Sequence, residues 1–135
     1  MRRIATTIAL LGLSLFVLLA PTPASAASTV DVTSATLVAR GVAVDLTLTV
    51  TCQNGMSGGS ELILRQRSGD RVAYGSGWAP ISCTGEPQAV TGRVFAEAGG
   101  FAFNKGVALA NGSFELCAQE NCEFLQFDET IRVTR

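Results

Sequence analysis

The chain holds 135 residues with ten basic and eleven acidic side chains, a net charge of −1, four cysteines and no histidine. Without clustered positive charge it has no electrostatic basis for gripping a nucleic-acid backbone, so no nucleic-acid partner is expected. Without histidine it lacks the usual general base of a serine or cysteine triad and the commonest metal ligand.

The first segment begins with Arg2 and Arg3, runs uncharged from Ile4 to Ala20, and ends in Pro21, Thr22, Pro23 and the small residues Ala24 to Ala27. A basic start, an apolar run and a small-residue site are the parts of a secretory signal peptide, with cleavage expected after Ala26 or Ala27. The apolar run of seventeen residues is short for a membrane span, and no basic stop-transfer cluster follows it. The expectation is a leader over 1–27 and a secreted, extracellular single domain over 28–135, with no membrane span in the mature protein. The exported part carries eight basic and eleven acidic residues, a mild acidity.

Strand signals then follow one another with no convincing helix. Val30 to Val38 is β-rich but imperfectly alternating, and Arg40-Gly41 turns it. VAVDLTLTVTC, from Val42 to Cys52, keeps a period of two, with Val42, Val44, Leu46, Leu48, Val50 and Cys52 on one face and Ala43, Asp45, Thr47, Thr49 and Thr51 on the other. That is a strand with one side on a core. QNGMSGGS, from Gln53 to Ser60, has three glycines and no periodicity, so it is expected to be a mobile loop with Met56 exposed.

Glu61 to Arg67 and Arg71 to Trp78 are strands around a Ser68-Gly69-Asp70 turn, and Pro80 is expected to end the second. Gln88 to Ala96 is a strand in which Gly92 marks a bulge or a close backbone approach. Phe101 to Leu109 carries broken strand signals, which Ala110 to Cys117 continues, although Asn111-Gly112 could make a hairpin turn. Cys117 to Cys122 closes a polar hairpin, and Phe124 to Val133 returns as the last strand. Seven or eight short strands at this turn spacing predict an all-β, Greek-key, immunoglobulin-like β-sandwich with two disulfides. A small β-barrel is the alternative.

Cys52, Cys83, Cys117 and Cys122 all lie in the exported part, where an even count implies two disulfides. Cys52–Cys83 with Cys117–Cys122 is favoured, since four intervening residues suit a clip across a tight hairpin. Cys52–Cys117 would instead pin two sheets through the core. Disulfides remove thiolate chemistry and thiolate metal sites, so no cofactor or metal is expected. The remaining close carboxylate pairs, Glu120 with Glu123 and Asp128 with Glu129, are neighbours along the chain and do not face each other across a cleft as a glycosidase requires. A non-catalytic protein is expected.

Aromatic residues supply the candidate binding groups. Tyr74 and Trp78 share a face four residues apart, with Gly75 and Gly77 on the opposite side, and Phe101 and Phe103 share another face after a glycine turn. Rings bordered by glycine let a flat ligand or a sugar ring stack closely. Arg65, Arg67 and Arg71 cluster around one hairpin and read as a solvated strand edge.

The Gly-Val-Ala-Val strand ending in Cys52, the Gly-Ser-Gly-Trp and Ser-Cys-Thr-Gly segments, and Phe103-Asn104-Lys105-Gly106-Val107-Ala108 resemble a group of small secreted actinobacterial proteins of unassigned function. More distantly, the spacing of Cys117 and Cys122 is similar to that in the neocarzinostatin-type chromoprotein apoproteins. That resemblance implies a secreted immunoglobulin-like sandwich holding an aromatic molecule in a cleft. The chain departs from them at its other cysteines, which are thirty-one residues apart where theirs span a short hairpin.

Three functional classes follow. The first is an extracellular binding or interaction domain whose partner is a protein, a glycan or a small molecule. The second, a small-molecule carrier, requires an open cleft lined by Tyr74, Trp78, Phe101 or Phe103. The third, a secreted protease inhibitor, requires an extended, protruding strand around Ile81 to Glu86.

Overall fold

The computed structural model describes residues 27–135, so the expected leader, apart from Ala27, lies outside the described residues. Seven strands form: β1 (Thr29–Val38), β2 (Ala43–Thr51), β3 (Ser57–Ser68), β4 (Arg71–Ser82), β5 (Gln88–Ala96), β6 (Gly106–Ala118) and β7 (Asn121–Val133). The two-sheet immunoglobulin-like sandwich expected from strand spacing is not what they build. All seven join one antiparallel sheet in the order β1-β2-β5-β4-β3-β6-β7, which curls into a near-barrel.

The reason lies at the centre of β4. Its Gly75 to Trp78 segment pairs with β5 while its whole length pairs with β3, so hydrogen bonding runs unbroken from one layer to the other. Only glycine permits this: a β-carbon at Gly75 would lie 2.4 Å from the Phe95 carbonyl oxygen, and one at Gly77 would lie 2.0 Å from that of Arg93. A side chain at either place would push β5 away and leave two separate sheets. Glycine spacing thus converts a sandwich pattern into a continuous sheet.

The near-barrel closes where β1 meets β7. The Leu37 N–H donates to the Thr134 carbonyl and the Thr134 N–H to that of Ala35, each at 2.9 Å. Farther along, where β1 bulges between Val32 and Ser34, main-chain pairing gives way to side chains. The Val32 N–H donates to the Glu129 carboxylate at 3.1 and 3.2 Å, and the Ser28 hydroxyl donates to Glu123 at 2.7 Å. The Glu129 carboxylate thus satisfies a β1 backbone donor on the side that faces β7.

The interior is apolar and densely filled. Val44, Leu46, Leu48 and Val50 of β2, Leu62 and Leu64 of β3, and Phe114 and Leu116 of β6 are fully buried. One end is plugged by Phe103, whose N–H donates to the Gly41 carbonyl at 2.8 Å. Buried Gln66 holds the same plug: its amide donates to the Asn104 carbonyl at 2.8 Å and accepts from the Asn104 N–H at 2.7 Å. The other end is tied by the Cys52–Cys83 disulfide, while Cys117–Cys122 clips the β6–β7 hairpin at directly opposed positions.

Two local expectations give way, and one alternative is decided in favour of the continuous strand. The glycine-rich stretch from 57 to 60 is strand, paired to β4 on one side and β6 on the other, and Met56 is buried in the core. Pro80 does not end β4, which continues to Ser82; it lies beyond the four residues that bond β5, where its missing N–H costs no ladder bond. Asn111-Gly112 lies in the middle of β6 and forms no turn. Among the described residues no helix is long and apolar enough to cross a membrane.

Candidate binding face

Cross-strand register places a row of unlike side chains across the outer surface. Asp45 of β2 lies opposite Arg93 of β5, Arg93 opposite Trp78 of β4, and Trp78 opposite Glu61 of β3. Glu61 in turn lies opposite Ser113 of β6, and Ser113 opposite Gln126 of β7. One step along the strands, Ile63, Asn111 and Asp128 make a parallel row on β3, β6 and β7.

Trp78 is 58% exposed, yet its indole has a defined seat. A β-carbon on Gly59 would lie 2.4 Å from the indole Cζ2 and 2.6 Å from Cε2, so the ring crosses β3 in the space that glycine leaves. On its other flank Arg93 is fixed by two hydrogen bonds to Asp45, at 2.6 and 2.9 Å. That bonding holds the Asp45 carboxyl below the usual carboxylate range and raises Arg93.

From β3, the strand next to the one that carries Trp78, an open cavity of about 430 Å³ extends, bounded by Glu61 and Ile63 of β3, Asn111 and Ser113 of β6, and Gln126 and Asp128 of β7. Its floor contains an anomaly: Asn111 Oδ1 is buried and has no hydrogen-bond partner among the described residues. A buried unpaired acceptor costs about 1–3 kcal/mol, a cost that a ligand donor would relieve. Glu61, Ser113, Gln126 and Asp128 are exposed around it. The face therefore offers hydrogen-bond acceptors, an amide and a hydroxyl next to one bare aromatic ring.

The structure does not gather Tyr74, Trp78, Phe101 and Phe103 into an aromatic cleft. Phe103 is only 1% exposed and serves as the barrel plug. Phe101, 46% exposed, lies against the Arg71 guanidinium at 5.0 Å, and half-buried Tyr74 lies under Arg65 at 5.8 Å. Of the four, Trp78 alone lies opposite a residue that lines the polar cavity, Glu61. Arg65 and Arg71 thus cover rings, and Arg67 bonds the Gly69 carbonyl across its own turn.

Nor does the Ile81 to Glu86 segment protrude. Ile81 and Ser82 belong to β4, and Thr84 is folded back onto Gln88, whose side chain accepts from the Thr84 N–H at 3.0 Å and donates to the Ser82 carbonyl at 2.8 Å. Glu115 approaches Cys117 and Cys122 with its possible ligand atom within 4.8 Å of theirs. Both sulfurs are spent in a disulfide, which leaves a single carboxylate and no thiolate for a metal.

Sequence reasoning missed Glu61, Asn111, Gln126 and Asp128 as a set. The available signal was Asn111-Gly112, two poor strand formers inside a strand-like run. The chain is a small, disulfide-stabilised all-β domain. No family model, curated protein or solved structure matches it.

Proposed function

We propose that the chain is a secreted, non-catalytic binding domain, and that it engages its extracellular partner through the face formed by β3, β6 and β7 beside Trp78. The observation that carries this reading is the buried, unpartnered Asn111 Oδ1 at the floor of an open polar cavity. An acceptor without a protein partner beside an open cavity is free to take a hydrogen bond from a ligand seated there. The non-catalytic part of the reading is supported by a sequence without histidine, the usual general base, and by four cysteines held in disulfides.

Native mass spectrometry of the secreted protein tests the reading. A ligand or partner retained by the wild type and lost from Asn111→Leu supports it; equal retention by both overturns the placement of the site.

A further inference from the structure

We infer that the occupant of this face is a neutral carbohydrate chain, one ring stacking on Trp78 while the hydroxyls of its neighbours enter the Glu61–Asn111–Asp128 cavity. The inference rests on the binding-domain reading and names its ligand class. A pyranose with equatorial hydroxyls has apolar C–H faces and a rim of O–H donors. The face presents the complementary pair: an exposed indole for the apolar side, and the acceptors Glu61, Asp128 and Asn111 Oδ1 for the donors.

Length and surroundings separate this ligand from its competitors. From β4, which carries Trp78, to β7, which carries Asp128, there are three strand spacings, about 14 Å, so a single small ring does not reach from platform to cavity wall. A chain of sugars does. A cationic amine would also suit the carboxylates, but the strand position directly opposite the indole already holds the Arg93 guanidinium. An extended peptide would need an open strand edge, whereas β3 and β6 are paired on both sides along this face.

Because Trp78 is the only tryptophan in the chain, its fluorescence reports on the platform alone. Purified protein is titrated with cellohexaose and with chitohexaose, and calorimetry is run on the same samples. The expected result is a saturable change in emission for at least one of them, with affinity at least tenfold weaker in Asn111→Leu. Trp78→Ala, followed by calorimetry, is expected to lose at least tenfold, while Tyr74→Ala changes little. Spermidine and an acidic decapeptide serve as competing probes.

Saturable binding of spermidine or the peptide that Asn111→Leu abolishes, with neither sugar binding, overturns the carbohydrate assignment and leaves the binding face standing. Sugar binding untouched by both Trp78→Ala and Asn111→Leu overturns the face together with the assignment. Silence from every probe overturns the carbohydrate assignment, and native mass spectrometry of the secreted protein then judges the face independently.

Discussion

Trp78 occupies the space above Gly59, and a methyl group on residue 59 would overlap the indole. The two residues lie on adjacent strands, so the aromatic shelf exists only because β3 carries no side chain there. Gly59→Ala is expected to lift the ring and to destabilise the fold by about 1–3 kcal/mol through overpacking. Denaturant unfolding reads the loss, and the emission of the lone tryptophan reads the displacement.

Gly77→Val is expected to do more than strain one contact, because it strikes the main-chain join between β4 and β5. The cost should reach the top of the overpacking range, about 3 kcal/mol. Amide hydrogen exchange at the β5 residues 93–96 should accelerate selectively while the β6–β7 ladder keeps its protection.

The seam between β1 and β7 depends on Glu129, whose carboxylate accepts the Val32 N–H at the bulge. Glu129→Ala should cost about 1–3 kcal/mol by leaving that donor without its partner. The Val32 amide should exchange faster, and Glu129→Gln, which retains an acceptor, should recover part of the protection.

Acid sensitivity has one identifiable contributor. Hydrogen bonding from Arg93 lowers the Asp45 pKa below its value of 3.8 in an unstructured chain. The folded state therefore holds the Asp45 proton less tightly than the unfolded state does. Its stabilisation is fully present above that value and fades as pH falls through the lower, folded pKa. Asp45→Asn should be less stable than wild type near neutrality, and the gap should narrow as pH drops below about 4. The pair is partly exposed, so the gap should be small and should shrink further in salt.

The two disulfides should differ in worth. Opening the Cys52–Cys83 loop is expected to cost about 3.7 kcal/mol and opening the Cys117–Cys122 clip about 2.2 kcal/mol on a chain-entropy scale. Paired alanine substitutions followed by urea unfolding give the ranking directly.

These features were unequally visible in the sequence. The β2 alternation is local: Val44, Leu46, Leu48, Val50 and Cys52 are buried where the period of two places them, while Val42, ahead of the strand, is 56% exposed. The favoured cysteine pairing also followed from spacing, and it is the one present. The join at Gly75 and Gly77 was not legible, because strand spacing does not say whether β4 and the next strand, β5, pair side by side or pack face to face. For the same reason the glycines near 58 looked like loop when they admit flanking strands on both sides. Phe103 carries the same local pattern as Phe101, and nothing nearby announces that its loop folds back to plug the barrel. Asn111 was visible as an oddity, but its meaning required the cross-strand rows that bring Ile63 and Asp128 beside it.

The stability of Asn111→Leu gives the most direct measurement of whether that asparagine is held ready for an outside donor. Leucine has a similar shape and removes the buried, unpartnered oxygen, so the variant should unfold at higher denaturant and gain about 1–3 kcal/mol. A variant less stable than wild type would show that Asn111 already serves the fold, and would contradict the binding face built around it.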